Sequence, residues 1–416
     1  MQGVWSHILR QVLIMKIVMV GEAWGKSEHQ FQHPLVGASG RELTLQLGIS
    51  GLGPFMTLLC RKCKRETRFL ESRCEFCSEY IWPNEFNLIE YWKQLRQVHS
   101  IHVTNVFNAR PPDNNIGLFF GKEKETDLPP CKIPKNTNGS HVLAEHYHHV
   151  KRLWRELEDL KPNLVVTMGN VPSWALLGET RIMSLRGTVN WSDRLGLKVL
   201  PTVHPAGVMR QWPIRPTVIQ DLRKAKIESE FPEIRRPKRW ITIPSPNEDG
   251  LREIRQWLDT SGRRALKNDI ETVRKQISII GFSRSADEAL VIPFRDCHSK
   301  NGKIVDVGQI AASIGFPNNG VNFWPNADLE FRAWKLAIEP IESPEIELTF
   351  QNGLYDMSYY LKMGIQPRRA EHDSMLWHHS QYPELPKSLG FLGSVYANDV
   401  AWKTMNRSSD SLKRDE

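Results

Sequence analysis

The sequence predicts an α/β protein in two parts, and three observations carry that expectation. Four short β-branched runs, "KIVMVGE", "SIHVTN", "NLVVTMG" and "LKVLPTVH", are separated by helical patterns such as "HHVKRLWRELEDL" and "VPSWALLG". Strands that alternate with helices build a parallel sheet covered on both faces, because each crossover helix packs back onto the sheet. Two CxxC pairs interrupt that alternation within a stretch, residues 53–99, that reads as an insert. The proline- and charge-rich "EFPEIRRPKRWITIPSPNEDG" then breaks periodicity and marks a boundary near Arg236. A chain of 416 residues is too long for one ordinary core. The expected domains are therefore 1–235, with the insert, and 236–416.

The 55 Lys+Arg against 47 Asp+Glu leave a charge of +8, a mild preference for polyanionic partners. No run of about 18 apolar residues occurs, which argues against a membrane span. The apolar "VWSHILRQVLIMKIVMV" carries His7, Arg10 and Lys16 and runs into the first strand, so it reads as core rather than as a signal peptide. Of six cysteines, four sit in one cluster, a pattern of a reducing compartment with a metal site rather than of a disulfide framework.

The four strands of the first part end at Glu22, Asn105, Gly169 and His204. Ligands of parallel sheets bind beyond the carboxyl ends of the strands, where Glu22, Asn105 and His204 are expected to converge. The segment from Pro111 to His141 has no period and reads as a mobile loop. In the second part, "LREIRQWLD" reads as an amphipathic helix, and "ALKNDIET", "QISIIGFS" and "EALVIPF" as three strands joined closely enough for an antiparallel meander.

Cys60, Cys63, Cys74 and Cys77 form two CxxC pairs separated by ten residues. Each pair turns two thiolates toward one tetrahedral ion, as in a zinc ribbon, and four sulfur ligands leave no open position for catalysis. A structural zinc is expected. The flanking Arg61, Lys62, Lys64, Arg65, Arg68 and Arg73 fit either phosphate contact or a solvated basic face.

"GEAWGK" lacks the length and the Lys-Ser/Thr ending of a phosphate loop. The stretch Gly21-Glu22-Ala23-Trp24-Gly25, then Glu28, then Pro34-Leu35-Val36-Gly37 with Ser39-Gly40, instead resembles the first motif of the uracil-DNA glycosylase superfamily, closest to its family 4. "VTNVFNARPP", "LVVTMGNVPSWALLG" and "VHPAGVMR" resemble further motifs of that family, in order, over roughly residues 16 to 228. The resemblance implies an α/β/α glycosylase-like domain. It implies that His204 donates to the departing base, that Asn105 reads the base edge, and that Glu22, or alternatively Glu28, positions the attacking water. Trp24 stands where the family has proline and Leu35 where it has a stacking phenylalanine; Trp24 then either takes over the stacking or fills the pocket. Ala109 replaces a cysteine of the family's iron–sulfur cluster, so no such cluster is expected.

"NDIET" puts Asp269 and Glu271 two apart on a strand, both facing one side, and "TFQNGLYDMSYYL" offers Asn352 and Asp356 where a strand gives way to a helix. Three acids on neighbouring elements can hold two divalent cations for phosphodiester hydrolysis. The order resembles the 3′–5′ exonuclease domain of family A DNA polymerases, an RNase H-like fold with a mixed sheet, from about Arg239 onward. By that likeness Asp269, Glu271 and Asp356 are ligands of Mg²⁺ or Mn²⁺, with Asn352 and Asp373 in supporting places. The family's third motif has no match, since Tyr396 is followed by Asp399 at a spacing of three. The last acid then comes from a longer chain or a partner, or the domain binds DNA without cutting it.

Together the two resemblances imply a DNA repair or replication protein of the cytoplasm, bacterial or phage-infected, acting on single strands or 3′ ends. Such a protein excises uracil or another altered base and trims 3′ ends. The alternative is a catalytically weakened DNA-binding accessory, or the N-terminal part, of a replicative polymerase.

Overall fold

The computed structural model describes residues 15–397 except 71, 134–137, 236, 260–264, 274 and 296–321. The N-terminal segment read as core lies, up to residue 14, outside the described residues, as does Asp399. Two compact units emerge, one from the described residues of Met1–Arg235 and Gly390–Met405, the other from those of Arg236–Leu389.

The first unit is a three-layer α/β/α body. Its strands are β1 (Ile17–Ala23), the hairpin β2 (Thr57–Leu59) and β3 (Glu66–Arg68), β4 (Ile101–Phe107), the short pair β5 (Phe120–Gly121) and β6 (His141–Val142), then β7 (Leu164–Met168), β8 (Asn190–Ser192) and β9 (Leu197–Thr202). Its helices are α1 (Lys26–Phe31), α2 (Ala38–Ser50), α3 (Glu85–His99), α4 (Ala144–Leu160), α5 (Asn170–Leu177), α6 (Ile182–Leu185), α7 (Pro205–Arg210) and α8 (Arg215–Glu228). The main sheet runs β4-β1-β7-β9-β8, parallel except for the edge strand β8. Alternation along β1 explains the layers: Ile17 and Met19 join Leu43, Leu47, Trp92 and Leu222 on one face. Val18 and Val20 join Val150, Trp154 and Trp174 on the other.

Two readings of the sequence change here. The stretch read as an insert is a ribbon only in its first half; α3 buries Leu88, Tyr91, Trp92 and Leu95 in the main core and is the crossover from the ribbon to β4. The segment read as a mobile loop is packed among its described residues. Phe119, Phe120, Leu128 and Cys131 are buried, and β5 pairs with β6. Its lack of period misleads because its apolar side chains reach the core one at a time rather than along one face.

Buried ion pairs hold α8 against the sheet. Arg186 grips Asp221 with both nitrogens of its fork, and Asp221 Oδ2 also accepts from Thr202 Oγ1 at 2.7 Å. Lys198 meets Glu228 at 2.9 Å. Removing one partner of such a pair leaves a buried charge, which costs several kcal/mol, about 3–5.

The second unit opens with β10 (Trp240–Thr242) and α9 (Glu248–Asp259). The meander β11 (Ala265–Val273), β12 (Gln276–Ser283) and β13 (Glu288–Pro293) follows, then α10 (Ala327–Glu342), β14 (Glu347–Phe350), α11 (Gly353–Lys362), β15 (Ala370–Asp373) and α12 (Ser374–Gln381). The sheet order is β10-β13-β12-β11-β14-β15; β11, β12 and β13 pair antiparallel, as their short connections predict, while β14 and β15 join parallel to β11. This mixed sheet with helical returns is RNase H-like. The last described helix, α13 (Leu389–Tyr396), belongs mostly to the first unit, where Ser394 Oγ accepts from Arg186 Nη1 at 2.8 Å.

Candidate functional site

Three constellations carry chemistry. The first lies at the carboxyl end of the parallel sheet. Gly21 and Asn105 are register partners on β1 and β4, and a Cβ at position 21 would stand 2.2 Å from Asn105 Oδ1. Only glycine lets the buried Asn105 amide lie across the neighbouring strand. Arg152 of α4 holds this strand end in place, donating to the carbonyls of Asn105 and Val106.

Glu22 follows Gly21 directly. Its surface is partly open, yet protein surrounds the carboxyl closely enough that desolvation pushes its pKa up to about 7, against the opposing pull of Arg210. Cys131, from the segment that packs against this end, is close enough for the Glu22 charge to add to burial in raising its thiol.

His204 caps α7. Its Nδ1 accepts from Ala206 N at 3.2 Å, so the neutral ring carries its proton on Nε2. Burial first and the Arg210 charge second bring its pKa down to about 4, which keeps the imidazole neutral at physiological pH. Gly169, at φ +101°, runs beneath, 3.4 Å from His204 Cβ by the position its own Cβ would take. Arg210, six residues after His204, thus acts electrostatically on both groups. Sequence reading missed it, although a basic residue in the last turn of a helix that begins at a candidate donor is a signal.

The wall of this site is the loop after β1. Glu28, weighed as an alternative water-positioning group, is buried and accepts from Gly37 N at 3.0 Å. A Cβ at Gly25 would lie 2.7 Å from its other oxygen. Its carboxylate therefore braces the loop between Gly25 and Gly37. Leu35 is buried in the core with φ +55°, and its carbonyl accepts from Trp92 Nε1 at 2.9 Å. Trp24 is half-buried, its backbone N–H donates to Ala109 O at 3.2 Å, and its buried indole N–H has no hydrogen-bond partner among the described residues. Of positions 24 and 35, only Trp24 presents a ring, and Leu35 is drawn into the core.

The second constellation is the ribbon. The four sulfurs of Cys60, Cys63, Cys74 and Cys77 lie within 4.8 Å of one another, with Cys60–Cys77 at 3.6 Å and Cys63–Cys74 at 3.7 Å. A tetrahedron of Zn–S bonds of about 2.3 Å has edges of about 3.8 Å, so the cluster fits such an ion. Each CxxC turns identically: Lys64 N donates to Cys60 O and Ser78 N to Cys74 O, with Lys64 and Ser78 both at φ +57°. The sulfur set fits zinc, and Leu58, Phe69 and Ile81 beside it anchor the ribbon in the main core.

The third lies on the second unit. Asp269 and Glu271 are exposed on β11 while Asn268 and Ile270 between and beside them are buried, as alternation requires. Tyr360 Oη donates to Asn268 Oδ1 at 2.9 Å and stiffens the strand. The ladder slips after Glu271, a bulge that redirects the strand at the acids. Asp356 is buried on α11 and accepts from Ile270 N at 3.0 Å. Burial, then the Asp269 charge, push its pKa up to about 7. Asp356 and Asp269 are thus close enough to repel. Among the described residues these acids do not form a closed three-donor group within 4.8 Å. An open carboxylate set suits cations that keep part of their water, such as Mg²⁺ or Mn²⁺.

Asp373 takes a different part. Its carboxylate accepts from the backbone N–H groups of Asn352, Gly353, Met375 and Leu376, capping α12 and the turn into α11. Asn352 is exposed at φ +60° in that turn. Both support the backbone from which Asp356 projects.

The model of the Uracil DNA glycosylase superfamily matches residues 14–225, just over half of the chain. The Type-4 uracil-DNA glycosylase of Archaeoglobus fulgidus is 25% identical over 216 residues, 50% of this chain and 74% of that protein. A DNA polymerase of Bacillus phage SP01 is 26% identical over 185 residues, 42% of this chain and 19% of its own, so the chain spans about a fifth of that relative's length. Among solved structures, the EXD2 exonuclease domain soaked in Mn and GMP is 14% identical with a TM-score of 0.22, covering 42% of this chain and 79% of its own. Escherichia coli RNase D, an exoribonuclease involved in structured RNA processing, is 14% identical with a TM-score of 0.26, covering 42% and 38%. Four ordered motifs, a glycine shaped to an asparagine on the next strand, and a matched superfamily over the same residues agree: the chain belongs to the uracil DNA glycosylase superfamily.

Proposed function

We propose that the first unit hydrolyses the N-glycosidic bond of uracil or another altered base in DNA. The observation that carries the reading is the juxtaposition, at one sheet end, of a carboxyl with a pKa of about 7 and a neutral histidine whose free N–H is Nε2. In this reading Asn105 pairs with the edge of a base taken out of the stack, and Trp24 covers its face. Water attacks the sugar carbon, Glu22 orients it and accepts its proton, and the base leaves with the electron pair of the broken bond. The His204 Nε2–H then meets the charge that grows on the base oxygen. The test is alkali-revealed cleavage of uracil-containing single- and double-stranded oligonucleotides. Cleavage by the parent chain supports the reading. Its absence on both substrates favours a protein that binds DNA without excising uracil, a second reading supported by Leu35 being drawn into the core.

For the second unit we infer metal-dependent 3′–5′ trimming, with Asp269, Glu271 and Asp356 holding Mg²⁺ or Mn²⁺. Such ions, when bound, activate water and neutralise the leaving oxygen. Asp356→Asn and Asp269→Ala are each expected to slow trimming of a 5′-labelled single strand by roughly 100-fold or more. Equal, negligible trimming by the parent and both variants would leave this unit a DNA-binding element that works beside a polymerase. The closed sulfur cluster is read as structural zinc. Among the described residues no helix is long and apolar enough to cross a membrane, and we place the activity with DNA in a bacterial or phage-infected cytoplasm.

A further inference from the structure

The ribbon carries a surface that neither acid site uses. Phe76, Tyr80, Trp82 and Phe86 are 53, 63, 49 and 69% exposed, four large rings within eleven positions. They are held rather than loose. Tyr80 and Trp82 lie parallel, 8° apart in plane with centroids at 6.1 Å, and Trp82 stands edge-on to the buried Phe69. Phe86 stands edge-on to Phe31 of α1 at 5.4 Å.

Cations interleave with these rings. The Arg65 guanidinium lies over Phe76 and that of Arg41 over Trp82, each at 5.2 Å. Lys62 and Arg68 are spent on Glu79 and Glu75. Arg61, Lys64 and Arg65 are exposed and have no carboxylate partner among the described residues.

The same surface is joined to the wall of the base site. Arg41 Nη1 donates to Pro83 O at 3.4 Å, Ser27 Oγ to Glu85 at 3.5 Å, and Trp92 Nε1 to Leu35 O. Rings alternating with unpaired cations suit a polyanion with stackable faces. A protein interface shares rings and arginines but is depleted of lysine, whereas Lys62 and Lys64 stand among the cations here. A duplex keeps its base faces stacked on one another, so only an unpaired strand can use the rings.

We propose that this face of the ribbon is a stacking platform for single-stranded DNA, leading the strand to the site at Glu22. The inference deepens the reading of the first unit as DNA-acting and rests on it. It is tested with the full chain by fluorescence anisotropy on labelled oligo(dT), which contains no uracil, so binding is read apart from excision. Phe76→Ala with Tyr80→Ala is expected to weaken single-strand binding by about 5- to 150-fold for each base that loses its ring. Arg61→Ala with Lys64→Ala is expected to lower the slope of log affinity against log salt by roughly 1.4, two phosphate contacts' worth. Metal content and circular dichroism verify that each variant is folded. Parent-like affinity in the folded ring variant, or tighter binding of duplex than of single strand by the parent, would overturn the proposal. Unchanged oligo(dT) binding would assign the face to a protein partner. Missing excision with intact, ring-dependent binding would count against the base site alone.

Discussion

Replacing His204 by alanine is expected to lower kcat for uracil excision by about 10²–10³-fold with little change in KM, the usual cost of deleting a donor aimed at developing charge. In the proposed reaction the donor acts mainly on the departing base, whose oxygen becomes anionic as the bond breaks. The substitution also removes the cap on Ala206 N, a loss worth about 1 kcal/mol of stability. His204→Asn separates the two effects, since an amide oxygen can still cap α7 while the Nε2 donor is gone. Slow excision by a His204→Asn variant with parental thermal stability is the expected result. Parental rates in both variants would remove His204 from the chemistry.

The same site predicts a pH profile. Glu22 must be ionised to accept a proton, and its pKa stands at about 7. Excision should therefore rise about tenfold per pH unit up to roughly 7 and level off above it. His204 charges only near 4 and adds no limb in the neutral range. Arg210 lowers both values, so Arg210→Ala should move the Glu22 limb upward. The stability sign is opposite to that of a salt-bridged carboxylate. The folded pKa of Glu22 lies above the ordinary carboxyl value of 4.5, so its protonated form favours folding below that value, and this contribution is lost as pH rises through about 7. Glu22→Gln should raise thermal stability at pH 8 by an amount on the order of 3 kcal/mol and leave it nearly unchanged at pH 4. An unmoved melting temperature at pH 8 would show that the carboxyl is better solvated than its surroundings imply.

Stripping the metal from the ribbon is the second large effect. Structural zinc in a Cys₄ or related site supplies apparent binding energies of about 10–16 kcal/mol. Apart from Leu58, Phe69 and Ile81, which reach the main core, the ribbon has only a hairpin of two three-residue strands to fall back on, and an isolated hairpin is marginal in water. Cys74→Ser, or a strong chelator, should therefore unfold residues between β2 and β3 and open them to protease, while the parallel sheet persists. Because Arg41 and Leu35 are tied to the ribbon's exit at Pro83 and Trp92, base excision should fall as well. Metal analysis of the parent should find about one zinc per chain, as a closed Cys₄ site requires. Iron in its place, or a ribbon resistant to protease without metal, would contradict this account.

Much of this was legible in residues close together in the chain. The β-branched runs announce strands because side-chain alternation is local, the two CxxC pairs announce a metal because each turn brings its own two sulfurs together, and "NDIET" announces a paired acid face by its spacing alone. The parallel order of the first sheet and the meander of the second follow from connection lengths, which are also written in the chain.

Other properties depend on what distant segments bring to a side chain, and no local pattern records them. Glu28 reads as an alternative water-positioning group in sequence, yet it accepts from Gly37 N across a turn and acts as a brace, while Asp373, read as a supporting residue, takes its backbone N–H partners from two turns. Asn105 can lie where it does only because position 21 on the next strand has no Cβ. Glu22 and His204 are ordinary titrating residues in the sequence. Burial at the sheet end moves one up and the other down, with Arg210 opposing the first shift and adding to the second. Local sequence was enough for the main strands, the sulfur cluster and the family of the pocket, but not for α3 or the packing of residues 111–141. The tertiary structure alone decided which acids are buried, which are spent on backbone, and what charge each site residue carries, because burial and field are sums over neighbours that the chain order does not place side by side.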